Sequence, residues 1–485
     1  MFYLFFSLFF SLVLGAYFVC KYCFKFDKTR FNSVVNKILK IAVVAFCSLY
    51  ILTILLPDAA VLCYDDSVLQ SMNGKMRGVA MLKWLESLSF VILPLAIFYK
   101  NKTIRNISIY FCTIATLANI ICYPTIIEYL TSTAGKGLNS MSIVGPGLRN
   151  FLINPVFRSI VLGLMWTVEL GAPIVLAVEE KHVFDVKNLK EYGYFFLVLA
   201  ITFISCIPIY VPQHLFGYTD IIFEAWSLPH ILWIVSVVAE IIVLYFIFRN
   251  KDAENKRIML FVLSLNLIMQ YNQMFGAISI NIERLPLQLC NIGAFLILFT
   301  LIFKSKKLFD FTIIVNVVGV LIALAIPDLD NEGLFYLYNM HFILEHTNVI
   351  VIPVLALALG IFPRLDNKSL KHFLIGFACY FMVVLVLGTI FNGIAKSTGN
   401  NFYFANYLFM FDKATGAELV PFTESLFDIN FSIGSLTFYP VIQPLIGVIF
   451  TAICMAVYGS IRLIYVAKDK ICKTSVKNVE VKQEK

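Results

Sequence analysis

Apolar positions in this chain neither alternate with polar ones nor recur every third and fourth residue. They come in unbroken runs of about 20, separated by shorter polar connections. A run of that length crosses roughly 30 Å of hydrocarbon as a helix, with every backbone polar group satisfied inside the segment. The pattern predicts thirteen spans, at 2–20, 41–62, 79–99, 107–124, 158–178, 194–213, 229–248, 258–278, 285–303, 310–326, 338–361, 372–391 and 440–461. Pro124, Pro327 and polar residues interrupt the fourth, tenth and eleventh. A membrane β-barrel needs alternating segments of about ten residues, so the expected fold class is an all-α polytopic membrane protein.

Composition agrees. Of 485 residues, 60% are hydrophobic and 14% charged, against about 25% charged in soluble domains, and the mean hydropathy is +0.85. Soluble globular, disordered and collagen-like chains are excluded. The charge also carries topology. Windows 21–40, 100–105, 181–190, 249–257, 304–307, 364–371 and 462–485 hold 29 of the 38 Lys and Arg, and they fall at every second connection. Lys and Arg mark cytoplasmic loops, so the N-terminus is expected outside and the C-terminus inside. The net charge of +8 then needs no nucleic acid, and none is expected as a partner. Met1–Phe6 lacks a basic n-region, which favours a retained first span over a cleaved signal. The expected location is a cell membrane, multi-pass, of the bacterial plasma-membrane kind.

Two outer connections are long, about 125–157 and 392–439. The second is rich in Phe and Tyr (Phe402, Tyr403, Phe404, Tyr407, Phe409, Phe411), residues that suit a headgroup-level cover, a re-entrant piece or a surface loop. The halves also share a layout. Trp166 precedes Pro173 by seven residues, as His346 precedes Pro353. Spans 1–6 would correspond to 7–12 in parallel orientation, with span 13 extra. The expected division is residues 1–213, a six-helix half; 214–465, a seven-helix unit; and 466–485, a basic cytoplasmic tail.

Ionisable and amide side chains inside spans are costly and mark candidate sites. They concentrate in the second half. Glu240 lies in span 7, and Asn266, Gln270 and Gln273 share one face of span 8. Arg284, Gln288, Cys290 and Asn291 open span 9. Asn316 lies in span 10 and Asp328 follows it. Span 11 carries His341, Glu345 and His346, and His230 opens span 7. Together they are expected to line a cavity, or else to join helices by hydrogen bonds. Cys290 lies about five residues into its span and His346 about eight into its own. At 1.5 Å per residue both sit roughly 8–12 Å below the outer interface. A Cys with a His base is a nucleophile pair. Glu345 or Asn291 would orient the imidazole, and Asn291, Gln288 or Arg284 would supply oxyanion donors.

At these residues the chain resembles the YwaF family of bacterial integral membrane proteins, itself distantly similar to animal transmembrane acyltransferases that remodel ether phospholipids. The resemblance covers roughly 217–465. It is carried by Trp226-Ser-Leu-Pro-His230, Leu285-Pro-Leu-Gln-Leu-Cys290, Pro327-Asp328-Leu329, Glu345-His346 and Asn406-Tyr-Leu-Phe-Met410. It implies Cys290 as an acyl-accepting nucleophile, His346 as its base and membrane phospholipids as partners. One position departs: the bacterial pattern has His two residues before the Cys, where this chain has Gln288. The expectation is a membrane-embedded acyltransferase or lipid hydrolase. A lipid or small-molecule transporter with a polar site between helices, and a non-catalytic scaffold, stand as alternatives. The chain has no G-x-x-x-x-G-K-[ST] and no H-E-x-x-H, and neither cofactor nor metal is expected.

Overall fold

The structure, a computed structural model, describes residues 2–24, 27–52, 89–99, 102–128, 154–180, 221–278, 282–325, 333–414 and 423–483, with Gly147, Asn150, Phe151, Pro327 and Gly416. The helices are α1 (Phe2–Tyr22), α2 (Lys28–Leu52), α3 (Ser89–Phe98), α4 (Lys102–Ile121), α5 (Pro155–Glu179), α6 (Leu228–Phe248) and α7 (Ala253–Ile278). They continue with α8 (Leu289–Phe303), α9 (Lys306–Ala325), α10 (Leu337–Ala358), α11 (Asn367–Thr398) and α12 (Ile442–Gln483). Nine helices among the described residues are long and apolar enough to cross a membrane, and α3 and α8 are shorter apolar helices. The chain is an all-α, multi-pass membrane protein. The sixth expected span, 194–213, lies outside the described residues, as do much of the third and of the 125–157 connection.

Local sequence accounts for the starts and stops. Asn154 accepts from the amides of Val156 and Phe157 ahead of Pro155, and Ser227 caps α6 ahead of Pro229. Asp366 and Ser369 form a capping box on α11, which ends at Gly399 in the left-handed region. Several ends differ from the sequence reading. The second span was expected from 41, but α2 begins at Lys28, because Val34, Val35, Ile38 and Leu39 extend its apolar face among basic residues whose stems lie along it. Span 9 was expected from 285, but Pro286 delays α8 until Leu289. The twelfth expected span, α11, runs past 391 to Thr398. The last helix, α12, continues to Gln483 through the residues expected as a basic cytoplasmic tail.

The described residues form two compact units. The first comprises those within Met1–Phe223, Ile258–Ile280 and Leu329–Leu344, and the second those within Glu224–Arg257, Asn281–Asp328 and Glu345–Lys485. In the first, α1, α2 and α4 pack on α5. Trp166 of α5 is fully buried and meets Phe2 edge to face at 5.8 Å, while Phe2 stacks on Tyr123 at 3.7 Å. Lys21 bridges to Glu179 at 2.8 Å, and Arg105 pairs with Glu180. In the second unit α9 is central, with α8, α11 and α12 packed on it and α11 on α12. Small residues allow the close approach. A Cβ at Gly376 would meet Phe311 at 2.8 Å, and one at Gly447 would meet Phe381 at 2.9 Å.

Candidate functional site

Among the candidate residues of the second unit, Gln288, Cys290 and Asn291 stand at the start of α8. This helix has 15 residues and rises about 22 Å, short of the roughly 30 Å of hydrocarbon. The missing length is supplied by the turn Ile282–Arg284 and the non-helical residues that follow. Backbone freed by Pro286 must find partners inside the protein, and it does. Tyr380 of α11 donates its hydroxyl to the Leu287 carbonyl at 2.6 Å, and Tyr407 donates to the Ile282 carbonyl. Tyr380 and Tyr407 are both buried. Burial, with Glu283 nearby, pushes the Tyr407 phenol up.

In the connection at 392–439 the described residues are held by hydrogen bonds among themselves and to α11. Asn392 of α11 pairs with Ala405 in both directions, accepting its amide at 3.0 Å and donating to its carbonyl at 2.8 Å. Asn406 Oδ1 accepts from the amides of Phe411 and Asp412 at 2.9 and 3.1 Å. Between them Leu408 (φ 54°) and Phe409 (φ 57°) occupy the left-handed region, which costs a bulky L-residue about 1–2 kcal/mol each. Ala405, Tyr407, Leu408 and Met410 are buried. Of the aromatics at 402–411, Tyr407 and Phe411 are buried in protein. A hairpin of β1 (Phe431–Ile433) and β2 (Leu436–Phe438) follows.

Gln288 is the N-cap of α8, but its side chain makes no capping bond. Its Oε1 accepts the Leu408 amide at 3.1 Å and its Nε2 donates to the Asn406 carbonyl at 3.2 Å. Its amide, expected among the oxyanion donors, is engaged with the outer turn at both ends. Cys290 stands at the second helical position, partly exposed, and its Sγ donates to Asn291 Oδ1 at 3.3 Å. A helix start favours a negative charge there.

One turn further along, Asn316 of α9 joins three helices. Its Nδ2 lies 3.4 Å from the Gly293 carbonyl of α8 and 3.4 Å from the Val349 carbonyl of α10. Gly293 follows Cys290 by three residues and Val349 follows His346 by three. His346 and Glu345 are buried. His230 is buried in a turn, where its Nδ1 accepts the Trp226 amide at 2.9 Å, and Trp233 beside it donates to Thr347 at 2.8 Å. Glu240 lies on α6. Asn266, Gln270 and His341 are buried in the first unit. Asp328 and the side chains of Arg284 and Gln273 lie outside the described residues.

A second polar cluster escaped the sequence reading. Asp310 of α9 is fully buried and accepts from Lys306 Nζ at 2.9 and 3.0 Å; its Oδ2 lies 2.8 Å from His372 Nδ1 on α11. Lys306 also donates to Ser369 Oγ at 2.8 Å. Tyr380, Asn392 and His372 were missed because each sits among apolar or basic neighbours, and its partner is distant in the chain. Among the described residues no group of three His, Cys, Asp or Glu side chains could hold a metal.

Residues 225–458 match the TMEM164 family, a transmembrane family. The matched stretch is just under half of the chain and runs from before α6 into α12, taking in Cys290, Asn316, His346 and the outer turn. No curated protein and no solved structure matches the chain.

Proposed function

We propose that the second unit is a membrane-embedded acyltransferase or lipid hydrolase, with Cys290 as nucleophile and His346 as general base. The observation that carries this reading is the Asn316 junction. Consecutive spans alternate in direction, so α8 and α10 run the same way. One turn from the junction toward the same side stand Cys290 on α8 and Glu345 and His346 on α10.

The chemistry follows from depth, since a phospholipid ester carbonyl lies near the interface. His346 takes the Cys290 proton and the sulfur attacks the carbonyl carbon. The first-turn amides of α8 are the nearest donors for the oxyanion. On collapse the ester C–O bond breaks, and the lyso-lipid oxygen leaves with the proton held by His346. The thioester then passes its acyl group to an acceptor hydroxyl, or to water, with His346 again accepting the proton and the thiol restored. In the broader division expected from sequence, residues 1–213 are a half with a structural, lipid-binding or partner role and without this pair.

The test is to trap the intermediate. Purified protein incubated with acyl-labelled phospholipid should carry a hydroxylamine-sensitive label on Cys290, lost in Cys290→Ala and strongly slowed in His346→Gln. Label that persists in Cys290→Ala, or never forms, removes the enzyme reading. Lipid flux across vesicles that is indifferent to Cys290→Ala would favour transport instead.

A further inference from the structure

We propose that Gln288 is a latch: it ties the strained turn Asn406–Phe411 to the start of α8 and so positions Cys290, two residues later. The proposal rests on the acyl-transfer reading for its consequence, though not for its geometry. The turn is fixed on one side by α11, through the paired Asn392 and Ala405 and through Phe411, which fills the space beside Gly388. On the other side Gln288 meets it with both ends of its amide, accepting from Leu408 and donating to Asn406. Leu408 lies in the left-handed region, and so does Phe409. Such a conformation persists where the surroundings over-determine it, and tends to occur at functional sites.

The same two bonds account for the missing helix cap. An N-cap side chain usually turns back to the amides of its own helix. Gln288 turns outward and leaves the first-turn amides of α8 without a side-chain cap. The latch requires one acceptor and one donor at the end of one side chain. Gln supplies both, as does neutral His with its two ring nitrogens. Glu supplies only acceptors, Ala neither, and imidazolium only donors. Titratable groups around this junction are Glu283, Cys290, Glu345, Tyr380, Tyr407 and Asp412.

The experiment uses the full chain in phosphatidylcholine nanodiscs with two readouts. One is hydrogen exchange of the 404–412 backbone, and the other is labelling of Cys290 by acyl-labelled phosphatidylcholine. Gln288→Ala and Gln288→Glu should each raise exchange at 406–411 at least tenfold and slow labelling at least tenfold, with exchange in α11 unchanged. Gln288→His should match the unsubstituted protein in both at pH 8. Between pH 8 and 5.5 its labelling, taken relative to the unsubstituted protein at each pH, should fall as the imidazole loses its acceptor. Unchanged exchange in Gln288→Ala, or a His variant that behaves like Ala at pH 8, overturns the latch. Raised exchange with undiminished labelling overturns the positioning role. If the unsubstituted protein never takes the label, the acyl-transfer reading fails and exchange alone decides the latch.

Discussion

The carboxamide of Asn316 occupies the space where a side chain on Gly293 would stand. A Cβ built at 293 has its three nearest atoms on Asn316, the carboxamide nitrogen at 3.1 Å among them. The residue type at 293 is thus set by the three-helix junction. Gly293→Ala gains about 1 kcal/mol of helix propensity but forces a packed, hydrogen-bonded side chain aside, at a cost of about 1–3 kcal/mol. A net loss of up to about 2 kcal/mol is expected, read from unfolding midpoints in detergent. Asn316→Ala in the same chain should recover part of it, because the two sites share one space. Strict additivity of the pair would contradict the junction.

Asp310 has no exposure, and its partners Lys306 and His372 are largely covered. Removing one member of a buried charged cluster leaves the others without compensation, which typically costs about 3–5 kcal/mol. Lys306 is 28% exposed, which softens the effect. Asp310→Ala should lower stability by about 2–4 kcal/mol and loosen α9 from α11. Hydrogen exchange along residues 369–377, compared with α12, measures that. Asp310→Asn keeps the shape and part of the hydrogen bonding and should fall between. An unchanged midpoint in Asp310→Ala would mean the cluster is incidental.

These two junctions show what the sequence discloses and what it hides. Membrane helices are legible because a long apolar run has few alternatives in lipid, and the described spans fall on the expected runs. Their ends are less legible. Lys28–Lys40 reads as a basic connection, yet its apolar residues share a face and continue α2. Cys290, Glu345 and Asn316 stood out as polar residues in apolar surroundings. Their geometry depended on Pro286 shortening α8, which then needed Tyr380 and Tyr407 from 93 and 125 residues along the chain. The Asp310–His372 pair, 62 residues apart, hid at span ends where charge is ordinary. Tyr407 and Phe411 of the outer connection turned inward, since turn backbone beside a membrane helix needs cover as much as hydrogen bonds.

The start of α11 makes a pH-dependent prediction. Asp366 Oδ1 accepts the Ser369 amide at 2.9 Å, and that bond above all holds the Asp366 carboxyl below its ordinary value, with Lys306 assisting. A depressed folded pKa means the ionised form is favoured by folding. Its contribution is present above the unfolded value, about 3.9, and disappears as pH falls through the lower folded one. Asp366→Ala should therefore cost about 1 kcal/mol at pH 7, as for other helix caps, and progressively less between pH 4 and 3. Thermal midpoints of both proteins at pH 7 and pH 3 measure it. An equal gap at both pH values would show that the carboxylate charge contributes nothing.

The hairpin after the outer turn also has a level that can be measured. Helix α11 has 32 residues, or about 48 Å, some 18 Å more than the hydrocarbon it crosses. One end carries Asp366, Lys368 and Lys371. The other carries Gly393, against which Leu436 packs, and Lys396, whose Nζ lies 3.2 Å from Thr437 Oγ1. The hairpin is thus held beside the last turns of α11, in the headgroup zone. On it Ile429, Phe431 and Ile433 are 49, 50 and 65% exposed, and Phe431 stacks on Phe438 at 5.2 Å. Apolar and aromatic side chains at that height dip into the boundary of headgroup and acyl chain. An environment-sensitive fluorescent residue in place of Ile433, in full-length protein in nanodiscs, should emit blue-shifted. A spin label at a shallow acyl position should quench it and aqueous iodide should not. Replacing Phe431 by Glu should shift the emission toward that of a dye in water, because a charge at this depth draws the hairpin outward. Iodide quenching as strong as for free dye, with no effect of the lipid spin label, would put Ile433 in water and end this assignment.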